Sequence, residues 1–382
     1  MAIRHQEREL MPAILDRLLA AGKTQDDIAS GTHISSRRLT EIASGSEPTL
    51  YELKILAKFA DIRLSDLIND RLETDQVRVL LRRTPRQRVA EADPAESFVR
   101  KIIKIGRFLP TDYSSPEWAW ATSEHRTRGD AERDAEAFRS VFFGSNPVDP
   151  LVDLPRRAVE DAGVLLFVSS NRELDGLSCV VNHRRFVMLA PRFGPRMLYT
   201  LAHEIGHHAA HLSLDEDFVT SDQNPENAAL RHEDAASERY ANAFASALLL
   251  PRVGVGIALD RIRKQLNSQR TELGDIEILY LAHVFGTSFE VAARRCEDLR
   301  LIQKGSGWAL YENLCQKYGN PEKRAKEAGL PRRPPITFPP APPMVVEAIL
   351  HDIRRGELSV GKASELLEIG VTDVHKLNAM LT

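Results

Sequence analysis

PRMLYTLAHEIGHHAAHL, residues Pro195 to Leu212, carries a helical pattern and a metal-ligand spacing in one stretch. Leu198, Leu201, Ala202, Ile205, Ala209 and Leu212 recur at intervals of three and four, the period of a helix with one buried face, and Pro195 suits its first turn. On that helix His203 and His207 stand four apart, so both rings project from one side about 6 Å from each other. Glu204 lies about a hundred degrees round from His203. This His-Glu-x-x-His arrangement is the one in which two imidazoles bind zinc and the glutamate acts on the water that the metal holds.

Two histidines leave zinc under-ligated, so the third ligand must come from elsewhere. A metzincin would carry a glycine three residues after the second histidine and a further histidine six after it; Ala210 and Ser213 occupy those places. His211 shares the helical face but sits about 12 Å along the axis from His203, too far to share its ion. The remaining solution is a carboxylate on a second helix. SERYANAFASALLLP, residues 237–251, puts Glu238, Ala241, Ala245 and Leu248 on one stripe, with alanines that permit close approach and Pro251 closing it. Glu238 heads that stripe, and Glu233 and Asp234 compete for the same role. His208, His211, His232 and Tyr240 are candidates for steadying a developing oxyanion or orienting a ligand.

The rest of the chain sets the context. Its 382 residues suggest two or three domains, and a 43% apolar content is ordinary for globular protein. Cys179, Cys296 and Cys315 are few, odd in number and widely spaced, which argues against a disulfide framework or a cysteine zinc cluster and for a reducing compartment. No apolar signal core opens the chain and no apolar run approaches the roughly 20 residues of a membrane span, so a cytoplasmic protein without a membrane partner is expected. The net charge of -3 is unevenly spread: residues 71–107 hold ten Lys or Arg against five acids, and residues 212–238 hold eight acids against one Arg.

Upstream of the motif, Asp130–Phe143 and Asp149–Ala162 read as helices stopped by Gly144 and Gly163. Val164–Val168 reads as a strand, and Leu177–Val181 with Arg185–Leu189 as a hairpin around Asn182 and His183, whose edge could pair with an extended substrate. Cys179 falls in that hairpin. Its thiolate could fill the open position on the metal and hold the site latent, or it could be a small buried hydrophobe. Downstream, Ile276–Phe285 and Phe289–Leu299 read as helices joined by a glycine stop and a serine cap. PRRPPITFPPAPP, residues 331–343, reads as a semi-rigid polyproline connector. Residues 344–382 give short helices suited to a helix-turn-helix or to dimerisation, which leaves room for a homodimer.

Two resemblances follow. TQDDIASGTHISSRRLTEIASGSEPTLYELKILAKFADIRLSDLI, preceded by an amphipathic helix over Glu7–Ala21, resembles the XRE or Cro/C1-type repressor domain. The resemblance implies DNA as a partner, with Gln25 holding a phosphate or base edge and Ser36, Arg37, Arg38 and Thr40 facing the duplex; either arginine could pair bidentately with guanine. Against it, residues 1–70 carry nine Lys or Arg and eleven acids, without the usual basic footprint. The basic run LLRRTPRQR, residues 80–88, could add phosphate contacts.

DGLSCVVNHRRFVMLAPRFGPRMLYTLAHEIGHHAAHL followed by ERYANAFASALLLP resembles the ImmA/IrrE family of zinc metallopeptidases. That resemblance implies His203, His207 and Glu238 as zinc ligands, Glu204 as the catalytic residue, and a slow, selective protease whose substrate is a partner repressor. The long acidic loop between the two helices departs from the family pattern and leaves selectivity open.

The expected class is mainly α with a small β-sheet (α+β): a helix-turn-helix bundle over 1–70, a linker and helical connector over 71–130, a gluzincin-like metallopeptidase domain with a short antiparallel or mixed sheet over 131–305, a connector over 306–343 and a helical module over 344–382. The expected function is a DNA-binding regulator with zinc-dependent endopeptidase activity. Alternatives are a regulator that uses the peptidase fold as a ligand sensor, and a protease toxin or defence effector.

Overall fold

A computed structural model describes residues 24–43, 46, 49–59, 94–110, 113–118, 127–144, 146–169, 174–210, 214, 218–221, 232–266 and 272–380. The chain divides into two compact units, Met1–Arg82 and Arg83–Thr382. The helix expected over Glu7–Ala21 and the basic run at 80–88 lie outside the described residues.

In the first unit, α1 (Gln25–Thr32), α2 (Ser36–Ala43) and α3 (Leu50–Phe59) bury Ile28, Leu39, Ile42 and Leu56. Thr24 starts α1 with a reciprocal cap: its hydroxyl accepts from the Asp27 N–H, and the Asp27 carboxylate accepts from the Thr24 N–H at 2.8 Å. Gly31 lets α1 meet α3, because a Cβ there would stand 2.1 Å from the Phe59 ring.

The second unit runs from α4 (Pro94–Gly106) through α5 (Arg128–Phe143) and α6 (Leu154–Glu160) to β1 (Val164–Val168), β2 (Gly176–Val181) and β3 (Arg184–Leu189). Then come α7 (Gly194–Ala210), β4 (Phe218–Ser221), α8 (His232–Leu249), α9 (Arg252–Gln265), α10 (Asp275–Val284) and α11 (Phe289–Asp298). The chain closes with α12 (Ser306–Tyr318), α13 (Pro321–Glu327), α14 (Pro343–Arg354), α15 (Val360–Leu367) and α16 (Val371–Met380). The class is as expected, mainly helical with a small mixed sheet. Among the described residues no single helix is long and apolar enough to cross a membrane.

Strand order is β1-β3-β2-β4, with β1 parallel to β3 and the other pairs antiparallel. Asn182 and His183, at φ 50° and 57°, form the two-residue turn of the expected hairpin. Neither hairpin strand offers the open edge that a substrate would need: β1 lies along β3, and β4, a strand from the acidic loop, lies along β2. The helix expected over Asp149–Ala162 is shorter, starting at Leu154, because Pro155 rather than Pro150 occupies the first turn.

The sheet supports α7, and α8 packs between α7 and α5 around Phe138, Leu198, Leu201, Ile205 and Phe244. Two buried arginines hold the end of α8. Arg139 donates to the Leu248 carbonyl at 3.1 Å, and Arg295 donates to the Leu250 carbonyl at 2.8 Å while its fork grips Glu132 at 2.6 and 3.1 Å.

The proline stretch at 331–343 is docked rather than free. Arg333 donates to the carbonyls of Ala282, at 2.7 Å, and Thr287, and to the Glu322 carboxylate at 2.7 Å. Ile336 and Phe338 pack on the core, and the Pro340 carbonyl accepts from the Val168 N–H at 3.1 Å, on the outer side of β1. Composition alone points to a spacer; three non-proline side chains turn it into a strap. The C-terminal helices are tied in likewise, through Glu368, which accepts from Lys101 at 2.7 Å and from the Ser169 hydroxyl at 3.0 Å.

Candidate metal centre

The separation of α7 from α8 is set by small residues. A Cβ on Gly206 would stand 3.0 Å from the Ala241 Cα and 3.3 Å from its carbonyl oxygen, so the two backbones touch here. The contact brings Glu238, one turn earlier on α8, over the histidine face of α7. His203 Nε2 and His207 Nε2 are 3.0 Å apart, Glu238 Oε2 is 3.3 Å from the first, and Glu238 Oε1 is 3.2 Å from the second. A tetrahedral ion with bonds of about 2.0–2.1 Å places its ligand atoms about 3.3 Å apart. Two imidazole nitrogens at that spacing, each faced at that spacing by one oxygen of a single carboxylate, suit a small divalent cation such as zinc.

The electrostatics agree with that use. Burial opposes the Glu238 charge, but hydrogen bonds and charge from His203 and His207 outweigh it and hold the carboxyl well below the usual carboxylate range. The two imidazoles are buried, whereas the Glu238 side chain keeps 24% of its exposure, so the centre opens on the Glu238 side. Around the donors, Ser237 Oγ lies 3.3 Å from His207 Nδ1. Tyr199, with its ring centroid 6.5 Å from that of His203, donates to Asn242 Oδ1 at 2.8 Å, and Asn242 donates to the Glu238 main-chain carbonyl at 2.8 Å. Burial raises the Tyr199 pKa, keeping the phenol a neutral donor. Such outer contacts orient metal ligands.

Glu204 is 1% exposed, and Ser178 on β2 donates its hydroxyl to Glu204 Oε2. Gly176, two residues earlier on the same face of β2, is equally involved: a Cβ there would stand 2.4 Å from Glu204 Oε1. Neither residue carries a motif, and a glycine and a serine in an apolar hairpin give little sequence signal; only the packing of β2 on α7 reveals them.

Several sequence candidates are placed elsewhere. His208 Nε2 lies 3.1 Å from the Phe186 carbonyl against the Trp118 ring edge, and burial, then the Arg185 charge, push its pKa down to about 3, so it is a neutral core residue. Tyr240, two positions round from Glu238, donates instead to Asp134. His211 lies outside the described residues, as do the side chains of His232, Glu233 and Asp234. Cys179 follows Ser178 on β2: Ser178 faces Glu204, strand alternation turns the next side chain to the opposite face, and Cys179 is fully buried there, the setting of a small buried hydrophobe.

In the first unit, Gln25 donates to Thr40 Oγ1 at 2.8 Å and to the Ser36 carbonyl at 3.2 Å, locking α1 to the start of α2. Ser36 is exposed, and Arg37 is 90% exposed beside Glu41. Arg38 instead grips Glu52 at 2.8 and 3.1 Å, which occupies the fork that pairing with guanine would require.

Residues 159–297 match the family model described as the IrrE N-terminal-like domain, Peptidase_M78. The matched span runs from the end of α6 to the end of α11 and contains His203, Glu204, His207 and Glu238; it does not reach the N-terminal helices. A search of curated proteins found no match.

Proposed function

We propose that the chain is a zinc-dependent endopeptidase that acts on a partner regulatory protein, with a repressor as the substrate class. The reading is carried by the triangle of His203, His207 and Glu238 donors beside Glu204, inside the span that matches a metallopeptidase family.

Zinc bound by those three residues would supply Lewis acidity toward a water and the scissile carbonyl. Glu204 takes the attacking water's proton on its carboxylate and passes it to the nitrogen of the leaving amine. Ser237 and the Tyr199–Asn242 pair keep the His207 ring and the Glu238 backbone in place. The α1–α3 unit, with Arg37 outward, serves as the docking module toward DNA, through backbone contacts more than guanine readout, since Arg38 is engaged.

The test uses the Glu204→Gln variant, which keeps the ligands and lacks the base. Loaded with zinc and used to capture partners from the source cell, the variant retains a protein that the wild-type chain cuts at one position, seen by mass spectrometry. Captured partners that remain whole with the wild-type chain, zinc bound, overturn the proposal.

A further inference from the structure

We infer that Ser178 is a positioning residue for Glu204, and that β2 forms a cradle in which Gly176 makes room for the carboxylate and Ser178 fixes it. The inference rests on the peptidase reading above and deepens it.

The strand reads Gly-Leu-Ser-Cys-Val-Val and is buried at every position, so Ser178 is a hydroxyl set among apolar side chains with no exposure to water. Burying a hydroxyl is unfavourable unless it is hydrogen-bonded. Ser178 Oγ meets two oxygens of one residue, Glu204 Oε2 and, at 3.3 Å, the Glu204 main-chain carbonyl. A hydroxyl has one proton to donate, and the carboxylate is the stronger acceptor. The other carboxylate oxygen occupies the space over Gly176, where a Cβ would meet Oε1 at 2.4 Å and Cδ at 3.1 Å, and would also meet Thr200 Cγ2 at 2.6 Å. Residues 176 and 178 share a face of the strand by alternation, while Leu177 and Cys179 face the other way. One face of β2 is therefore shaped around a single side chain, next to the helix that carries both histidines.

A base that must reach a water and then a departing amine gains from being held in one rotamer. The Ser178 hydrogen bond supplies that restraint. Because Ser178 acts through Glu204, its loss should change what Glu204 does and leave metal binding alone.

On the peptidase reading, a hydroxamate chelating the metal would lose its O–H proton and Glu204 would accept it, so acetohydroxamate affinity would read the placement of the carboxylate without turnover. The experiment loads the full chain with cobalt(II) and follows acetohydroxamate binding through the visible bands, for wild type, Ser178→Ala, Ser178→Thr, Gly176→Ala and Glu204→Gln. Cobalt affinity and melting temperature are measured on each. The expected result is a drop of about tenfold in hydroxamate affinity for Ser178→Ala, the size of a hydrogen bond to a charged group, with cobalt affinity unchanged and affinity restored in Ser178→Thr. Gly176→Ala should lower hydroxamate affinity at least as much.

Wild-type hydroxamate affinity in Ser178→Ala, while Glu204→Gln is weakened, overturns the positioning role and leaves the peptidase reading standing. Equal loss of cobalt and hydroxamate affinity in Ser178→Ala also overturns it, as the mark of a structural serine. Failure of the wild-type chain to bind cobalt, or indifference of hydroxamate to Glu204→Gln, overturns both readings together.

Discussion

Gly206→Ala tests whether the contact between α7 and α8 sets the metal centre. The added carbon would stand 3.0 Å from the Ala241 Cα and 3.3 Å from both the Ala241 carbonyl oxygen and the Phe244 Cβ. Ordinary carbon contacts lie near 3.5–4.0 Å, so the helices must part by about 0.5–1 Å. Two of the three neighbours are backbone atoms, which cannot swing aside. Alanine gains about 1 kcal/mol in helix propensity, whereas overpacking costs about 1–3 kcal/mol. Apo stability should therefore lie between unchanged and about 2 kcal/mol lower. The metal feels the shift more strongly, because His203 and His207 ride on one helix and Glu238 on the other, and tolerances at metal ligands are about 0.2 Å. Zinc affinity should fall about 10- to 100-fold, the usual cost of disturbing a ligand's support. Competition against a chromogenic chelator measures this, with melting curves taken with and without zinc. Wild-type zinc affinity in Gly206→Ala would refute the view that this backbone contact sets the donor triangle.

In the first unit, hydrogen bonding from Arg38 lowers the Glu52 pKa from 4.5 to about 2. The unfolded chain therefore binds the proton first, and the contribution of the pair is complete above about pH 4.5 and is lost as pH falls toward 2. The stability difference between wild type and Glu52→Gln should shrink over that window in acid-dependent melts, and a constant difference would contradict the pairing. Burial pushes the Cys296 thiol up to about 12 and Cys179 is fully enclosed, while Cys315 is partly exposed. A thiol reagent should label Cys315 alone in the native protein, as peptide mapping can establish, and equal labelling of Cys179 or Cys296 would contradict their burial. Arg333→Ala removes the donor shared by Ala282, Thr287 and Glu322. It should cost about 1–3 kcal/mol in denaturant melts and open residues 331–343 to limited proteolysis; an unchanged midpoint would mean the strap is not held by this arginine.

What the sequence reveals of this protein is governed by the range of the interactions involved. The α7 helix, the Asn182–His183 turn and the Ser288 cap of α11 are set by neighbours within a few residues, so period and turn chemistry disclose them. His203 and His207 are legible for the same reason. Glu238 is legible only with a second helix in mind, since its partners lie more than thirty residues earlier. Gly176 and Ser178 are not legible at all: their role exists only where β2 lies on α7. The Arg38 pairing is also invisible in the sequence, since the fork of this arginine is held by Glu52 on the next helix, fourteen residues on. The proline strap misleads because composition reports stiffness, whereas Arg333, Ile336 and Phe338 decide attachment.

Zinc stoichiometry of the purified full chain, measured by elemental analysis after saturation and removal of loose metal, bears most directly on the donor triangle. Wild type and Glu204→Gln should each hold about one zinc per chain, and His203→Ala, His207→Ala and Glu238→Ala should hold far less at the same free zinc. Full occupancy in Glu238→Ala, or none in the wild-type chain, would contradict the account.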